Sequence, residues 1–170
     1  MNVIIKIVIT ALLLLIAIKP YFEKGQIPGG LSEFENLGLI PSIILIITFF
    51  TAIAFYCKSF QTTLNLIKIE NRTRKPKSVW YMYLIPFNFI EDFFIIIDIS
   101  NSLKSEMKSN ENLKKFGDFG LTLGIGWSVA QIFSLIPNMA GQISGFVGLI
   151  LWIIHWSLIG KINKVLKNSN

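Results

Sequence analysis

Two adjacent carboxylates, Glu91 and Asp92, interrupt an apolar run from Val79 to Ile97, and they pose the first chemical question of this chain. Paired acids do general acid–base work when their carboxyl groups converge. Neighbours on a helix instead diverge by roughly 100° and form no such device by themselves. His155 is the one histidine and Cys57 the one cysteine, so a metal site built from nitrogen and sulfur lacks its donor set. A phosphate-binding glycine loop, a His-Glu metal motif and a nucleophile elbow are also missing from the sequence. No catalytic residue, metal ligand or cofactor is therefore expected. An ionisable residue inside an apolar segment is nonetheless a functional position by default. Asn88, Glu91, Asp92 and His155 accordingly make a candidate intramembrane polar site. The plain role for His155, flanked by Trp152 and Trp156, is a packing histidine satisfied by a neighbouring carbonyl. The sharper role is a proton-sensitive partner for Glu91 or Asp92.

Composition says what must position these residues. Of 170 residues, 52% are apolar and 15% charged, whereas charged residues make up about a quarter of a soluble domain. The mean hydropathy is +0.59. The expected class is an all-α integral membrane bundle in one domain. The net charge of +6 then fits cytoplasmic loops facing anionic lipid, and no nucleic-acid partner is expected. A lone Cys57 excludes an internal disulfide.

Five hydrophobic segments can be marked, at residues 3–18, 39–56, 79–97, 119–136 and 143–159. In the first, Lys6 is followed by the apolar run Ile7 to Ile18 with no small-residue cleavage pattern after it, since Ala17-Ile18-Lys19-Pro20 stands where one would lie; it reads as an uncleaved signal anchor. The loop after it turns at Pro28-Gly29-Gly30 and carries Glu23, Glu33 and Glu35, which suits the outer face. Residues 58–78 form a basic loop with Lys58, Lys68, Arg72, Arg74, Lys75 and Lys77, which suits the cytoplasm. Its Asn71-Arg72-Thr73 matches a glycosylation acceptor on the wrong side of the membrane.

Counting cations decides the layout. Five crossings with the N-terminus inside leave seven Lys and Arg inside and nine outside. If the third segment does not cross, the split is fourteen to two, as the positive-inside bias requires. Insertion energy agrees: the apolar residues of 79–97 contribute roughly −3 to −7 kcal/mol, and two carboxylates near a helix centre cost about 5 to 7. Pro86 lacks an amide donor and interrupts any helix there. From Phe87 onward, Asn88, Glu91, Asp98 and Ser102 recur at helical spacing. The expectation is four spanning helices plus a Pro-kinked, amphipathic or re-entrant third segment anchored by Trp80, Tyr81 and Tyr83, its carboxylates facing water or headgroups. The alternative is five spanning helices. The stretch 101–120 reads as a solvated linker, and Pro137 to Gly141 as an uncharged outer turn.

Glycines supply a packing signal. Gly120-Leu-Thr-Leu-Gly124 and Gly141-Gln-Ile-Ser-Gly145 are small-xxx-small patterns, expected to pack the last helical hairpin, with Gln131 hydrogen-bonding across the contact. Arg72, Arg74, Lys75 and Lys77 are expected to hold anionic headgroups at about 1 kcal/mol each.

The runs L-I-P-F-N-F-I-E-D-F-F-I-I-I-D-I-S-N-S-L-K-S-E, S-L-I-P-N-M-A-G and G-L-I-L-W-I-I-H-W resemble a group of small bacterial multi-pass membrane proteins with a domain of unknown function, over roughly residues 76–161. That resemblance implies a bacterial membrane location and supplies no catalytic residue. The functional expectation is a non-enzymatic protein of the cytoplasmic membrane with a cytoplasmic N-terminus. It would serve as an accessory or interaction module whose partners are anionic lipid and another membrane protein or a second copy. The alternative is a small transporter or channel with Asn88, Glu91 and Asp92 lining a proton or cation path.

Overall fold

The computed structural model describes residues 3–25 and 37–169, so the expected turn at Pro28-Gly29-Gly30 lies outside the described residues. All regular structure among the described residues is helical. The α-helices are α1 (Val3–Lys24), α2 (Leu39–Leu66), α3 (Asn88–Met107), α4 (Leu121–Phe133) and α5 (Met139–Ser169). Short 3₁₀ helices cover Ile69–Asn71, Pro76–Tyr83 and Glu111–Phe116. Two helices, α2 and α5, are long and apolar enough to cross a membrane, while α1 and α4 contribute shorter apolar runs at Ile4–Ile16 and Leu121–Phe133.

Both long helices outrun the hydrophobic segments that seed them. At 28 and 31 residues they measure about 42 and 46 Å, against a bilayer core of about 30 Å. The extra length has a sequence cause. In α2, Tyr56, Cys57, Phe60, Thr63 and Leu64 recur every three or four residues and are buried, so the stretch from Lys58 to Leu66 is amphipathic helix rather than the expected loop. In α5, Trp152, His155, Ile159, Ile162, Asn163 and Leu166 do the same.

The molecule consequently has two unlike ends. At the end where α2 and α5 begin, termed outer for its position in the bundle alone, Leu39, Ile40, Ile43, Ile44 and Ile47 of α2 are exposed, as are Phe146, Ile150 and Ile153 of α5 and much of α1. Only 6% of the most apolar stretch of α2 is buried in protein. At the inner end, α2 and α5 run side by side and pack with α3, α4 and the short helices around Phe60, Leu64, Ile95, Ile99, Leu103, Leu113 and Ile162. Polar steps fix their register: Trp156 Nε1 donates to Ser59 Oγ at 2.9 Å and Thr63 Oγ1 to Asn163 Oδ1 at 2.8 Å.

The third segment is not one helix. The 3₁₀ helix Pro76–Tyr83 climbs along α2, with Trp80 Nε1 bonded to Gln61 Oε1 at 3.1 Å and Tyr83 Oη to the Phe50 carbonyl at 2.5 Å. The chain then turns through Leu84–Phe87, where Pro86 cannot continue a helix, and α3 returns. Contacts between the two limbs confirm the reversal: Asn71 meets Glu106, Thr73 meets Ser102, and Arg74 meets Asp98 and Glu91. Leu84 and Ile85 are exposed at the tip.

One further expectation changes here. The stretch 101–120 is not a bare solvated linker, because its first residues end α3 and Leu113 of the 3₁₀ helix Glu111–Phe116 is buried in the inner core. Its large apolar residues, Leu113 and Phe116, stand among lysines and acids in too short a run to make a period that a sequence reading registers. The hairpin α4–α5 does turn between Phe133 and Met139, and Asn138 Oδ1 caps α5 by accepting the Gly141 amide at 3.1 Å.

Candidate functional site

The site lies where α1, α3 and the limb before α3 meet. Glu91 and Asp92 are each 2% exposed, which overturns the expectation that they face water or headgroups. The physical reason is that cations distant in sequence arrive to cover Glu91. Arg74 Nη2 donates to Glu91 Oε1 at 2.5 Å and its Nε to Asp98 Oδ2 at 2.9 Å. Lys6, from the first turns of α1, pairs with Glu91 Oε2 and lies over the rings of Phe87 and Phe94, at 6.0 and 4.2 Å from their centroids. One carboxylate thus binds α1 to the hairpin, and an aromatic sleeve strengthens the contact by keeping water away.

Asp92 lies on a different line. It is within electrostatic reach of the Tyr56 hydroxyl and the Cys57 thiol of α2, and no cation pairs with it among the described residues. Its Oδ1 is buried without a hydrogen-bond partner, as is Asn88 Oδ1 one helical turn earlier. Burial pushes the Asp92 carboxyl well above the ordinary carboxylate range, and the neighbouring Glu91 charge adds to the push.

His155 touches neither acid directly. Its Nδ1 is 2.6 Å from Tyr56 Oη, so a tyrosine rather than the expected carbonyl satisfies it, and the same Tyr56 is within electrostatic reach of Asp92. The rings of Phe60, Trp127, Trp152 and Trp156 all lie close around this pair. On the far side of His155 the α4 backbone comes close. A Cβ at Gly120 would fall 2.7 Å from His155 Cδ2, and one at Gly124 would fall 2.6 Å from Ile96 Cγ2 and 3.2 Å from His155 Nε2.

The other anticipated residues divide. Gly120 and Gly124 sit where α4 meets α5 and α3. Gly141 instead serves the turn, since a side chain there would collide with the Ile136 carbonyl. Gly145 is half-buried, and the close approach on α5 is made by Gly148 against Ala130. Gln131 Oε1 finds no partner. Of the four cations expected at the surface, Arg74 is committed to the buried cluster and Arg72 donates to the carbonyls of Ile67 and Asn65 at 2.8 and 3.0 Å. Lys75 and Lys77 are exposed.

Sequence reasoning missed Lys6, Tyr56, Asp98 and Glu106 as members of a polar interior. Glu106 accepts from the Lys68 amide and from Asn71 Nδ2, at 3.1 and 2.7 Å, and closes the inner end of the hairpin. The available signal was the recurrence of Asn88, Glu91, Asp98 and Ser102 along α3 at helical spacing, matched by Arg74 within the basic loop. Asp118 orders the entry to α4: its carboxylate accepts the amides of Gly120 and Thr122 at 3.0 and 2.8 Å, and bonding from Thr122 holds it below its ordinary value. Among the described residues, no group of His, Cys, Asp and Glu is placed to hold a metal ion. Compared with protein-family models, curated proteins and solved structures, the chain matches none.

Proposed function

We propose that the chain is a non-enzymatic integral protein of the bacterial cytoplasmic membrane, working as an accessory or interaction module through its cytoplasmic end. The observation that carries the reading is the division of α2 and α5 into an outer apolar length without protein cover and an inner length packed in a polar-laced core. In this reading α1, α2, α5 and α4 with its following turn cross the bilayer. The hairpin 71–107 enters from the cytoplasmic side and leaves on the same side, dipping Leu84 and Ile85 into lipid. Lys6 at the inner end of α1 sets the N-terminus in the cytoplasm. The non-enzymatic reading draws support from the single cysteine and single histidine: Cys57 is buried and His155 is occupied by Tyr56. Exposed Lys75 and Lys77 would hold anionic headgroups, and the exposed inner faces would meet another membrane protein or a second copy.

Single cysteines at Asn110 and at Lys19, in a Cys57→Ser background, test the layout by labelling from each side of the membrane. Asn110 should react from the cytoplasm alone and Lys19 from outside alone; outside labelling of Asn110 rejects the hairpin layout. A small transporter or channel is the second reading, favoured by the unpartnered oxygens of Asn88 and Asp92. Ion flux in liposomes that survives in wild type and vanishes in Asp92→Asn would select it.

A further inference from the structure

The buried cluster already balances its charge. Lys6 and Arg74 bring two positive charges, and Glu91 and Asp98 two negative. An ionised Asp92 would add a third negative charge at a position nearly closed to solvent, and a buried unpaired carboxylate is among the costliest groups a protein interior can hold.

No neighbour is placed to compensate it. From α2, Tyr56 and Cys57 face it, and in the Nε2–H tautomer of His155 the Tyr56 hydroxyl donates to Nδ1 and has no second proton. From α1 and the preceding limb come Lys6 and Arg74, both engaged by Glu91. α4 carries no titratable side chain. On α3 itself Glu91 repels it, Asp98 belongs to Arg74, and Glu106 is bonded at the opposite end. Glu70, Glu111, Lys114 and Lys115 are exposed beyond that end.

On α3 two orphaned acceptors lie together, Asp92 Oδ1 and Asn88 Oδ1, four residues apart on one face and both in residues more than nine-tenths buried. A proton resolves both deficits at once. It removes the surplus charge and turns one orphan acceptor into a donor, one helical turn from the other. We infer that Asp92 is a proton-binding site that holds one proton at neutral pH, with Asn88 as the acceptor on its face. The step is simple association: a proton from water joins the carboxylate, and no bond to another atom breaks. This goes beyond the membrane layout above and does not depend on it, since the charges and acceptors are internal to the bundle.

The test is infrared difference spectroscopy on the full chain in lipid nanodiscs, with isotope-labelled aspartate. Of the three aspartates, Asp98 and Asp118 reach solvent and Asp92 does not. Wild type at neutral pH should show the carbonyl band of one protonated, labelled aspartic acid per chain, lost on going strongly alkaline. Asp92→Asn should lack it. Absence of the band in labelled wild type overturns the proposal even if the variant fails to fold, and so does its persistence in Asp92→Asn. A band present in potassium and abolished by sodium also overturns it, making the two oxygens a metal-cation site instead.

Discussion

The two halves of α2 share one helix and face opposite surroundings. From Leu39 to Ile47 its large side chains are exposed, with Ile40 at 71% exposure. From Tyr56 to Leu66 the same kinds of side chain fall to zero, as at Phe60 and Leu64. Polar groups follow the reverse rule. The outer half spends Ser42 and Thr48 on its own carbonyls four residues back, while the inner half sends Tyr56, Ser59 and Thr63 across to α5. Apolar surface without protein cover in one chain calls for an apolar surrounding, so in the proposed layout the change at Tyr56 is where lipid gives way to packed protein. The change in burial along one helix supports that layout beyond what helix length offers.

If that reading holds, disruption at the inner end should unfold the bundle and disruption at the outer end should not. The largest effect is expected at Arg74. Removing it strands Glu91 and Asp98, so Arg74→Gln should lose about 3–5 kcal/mol in denaturant unfolding in micelles. Adding Glu91→Gln should return part of that loss. A small effect for the single variant would mean that Lys6 alone neutralises the cluster. At the helix crossing, Gly124→Ala should cost about 1–3 kcal/mol, because its new methyl meets Ile96; Ile96→Val should relieve part of it. Tyr56→Phe removes one donor and leaves His155 Nδ1 buried without its partner, for about 1–3 kcal/mol.

How much of this was legible follows from what each signal measures. The all-helical class and the run-and-turn order came from hydropathy and Pro86, which are local properties. The break in the third segment was legible in Pro86, which cannot continue a helix, while cation counting and the carboxylate penalty concern transfer between solvents and bear on the proposed layout rather than on the fold. The inward turn of its polar stripe was not. Asn88, Glu91, Asp98 and Ser102 mark a polar face equally well whether it meets water or Arg74, and only tertiary contact decides. Lys6 was read as an orientation signal, and nothing within the first segment says that its ammonium closes onto a carboxylate 85 residues away. The long helices were under-read for a related reason. Hydropathy windows stop at Lys58 and Lys161, whereas the amphipathic period runs on through Leu64 and Leu166.

A smaller, pH-dependent effect belongs to Asp118 at the entry of α4. Phe119 and Gly120 take positive φ, 59° and 81°, which aims the Gly120 and Thr122 amides at this carboxylate. Because its carboxyl is held below the ordinary value in the folded chain, its contribution is complete above the unfolded carboxylate range and is lost as pH falls through the folded value. Asp118→Ala should cost about 0.5–2 kcal/mol at neutral pH. Asp118→Asn should retain much of the cap and lose its acid dependence, measured as the difference in unfolding midpoint between neutral and acidic buffer. An Asn variant with the wild-type acid profile would assign that profile elsewhere.

The smallest expected effect sharpens the opening contrast most. Ile47 on the outer half of α2 is 61% exposed and Leu64 on the inner half is fully buried. Truncating Leu64 to Ala removes a packed side chain and leaves a cavity, for about 2–5 kcal/mol. Ile47→Ala removes comparable apolar area that contacts little protein, so in micelles, where detergent covers both folded and unfolded forms of this stretch, it should change stability by no more than about 0.5 kcal/mol. The same pair discriminates the surroundings of the outer half. Were that half covered by a second copy of the chain, Ile47→Ala would weaken self-association and show a concentration-dependent loss. A loss that tracks bilayer insertion, and not protein concentration, assigns the cover to lipid.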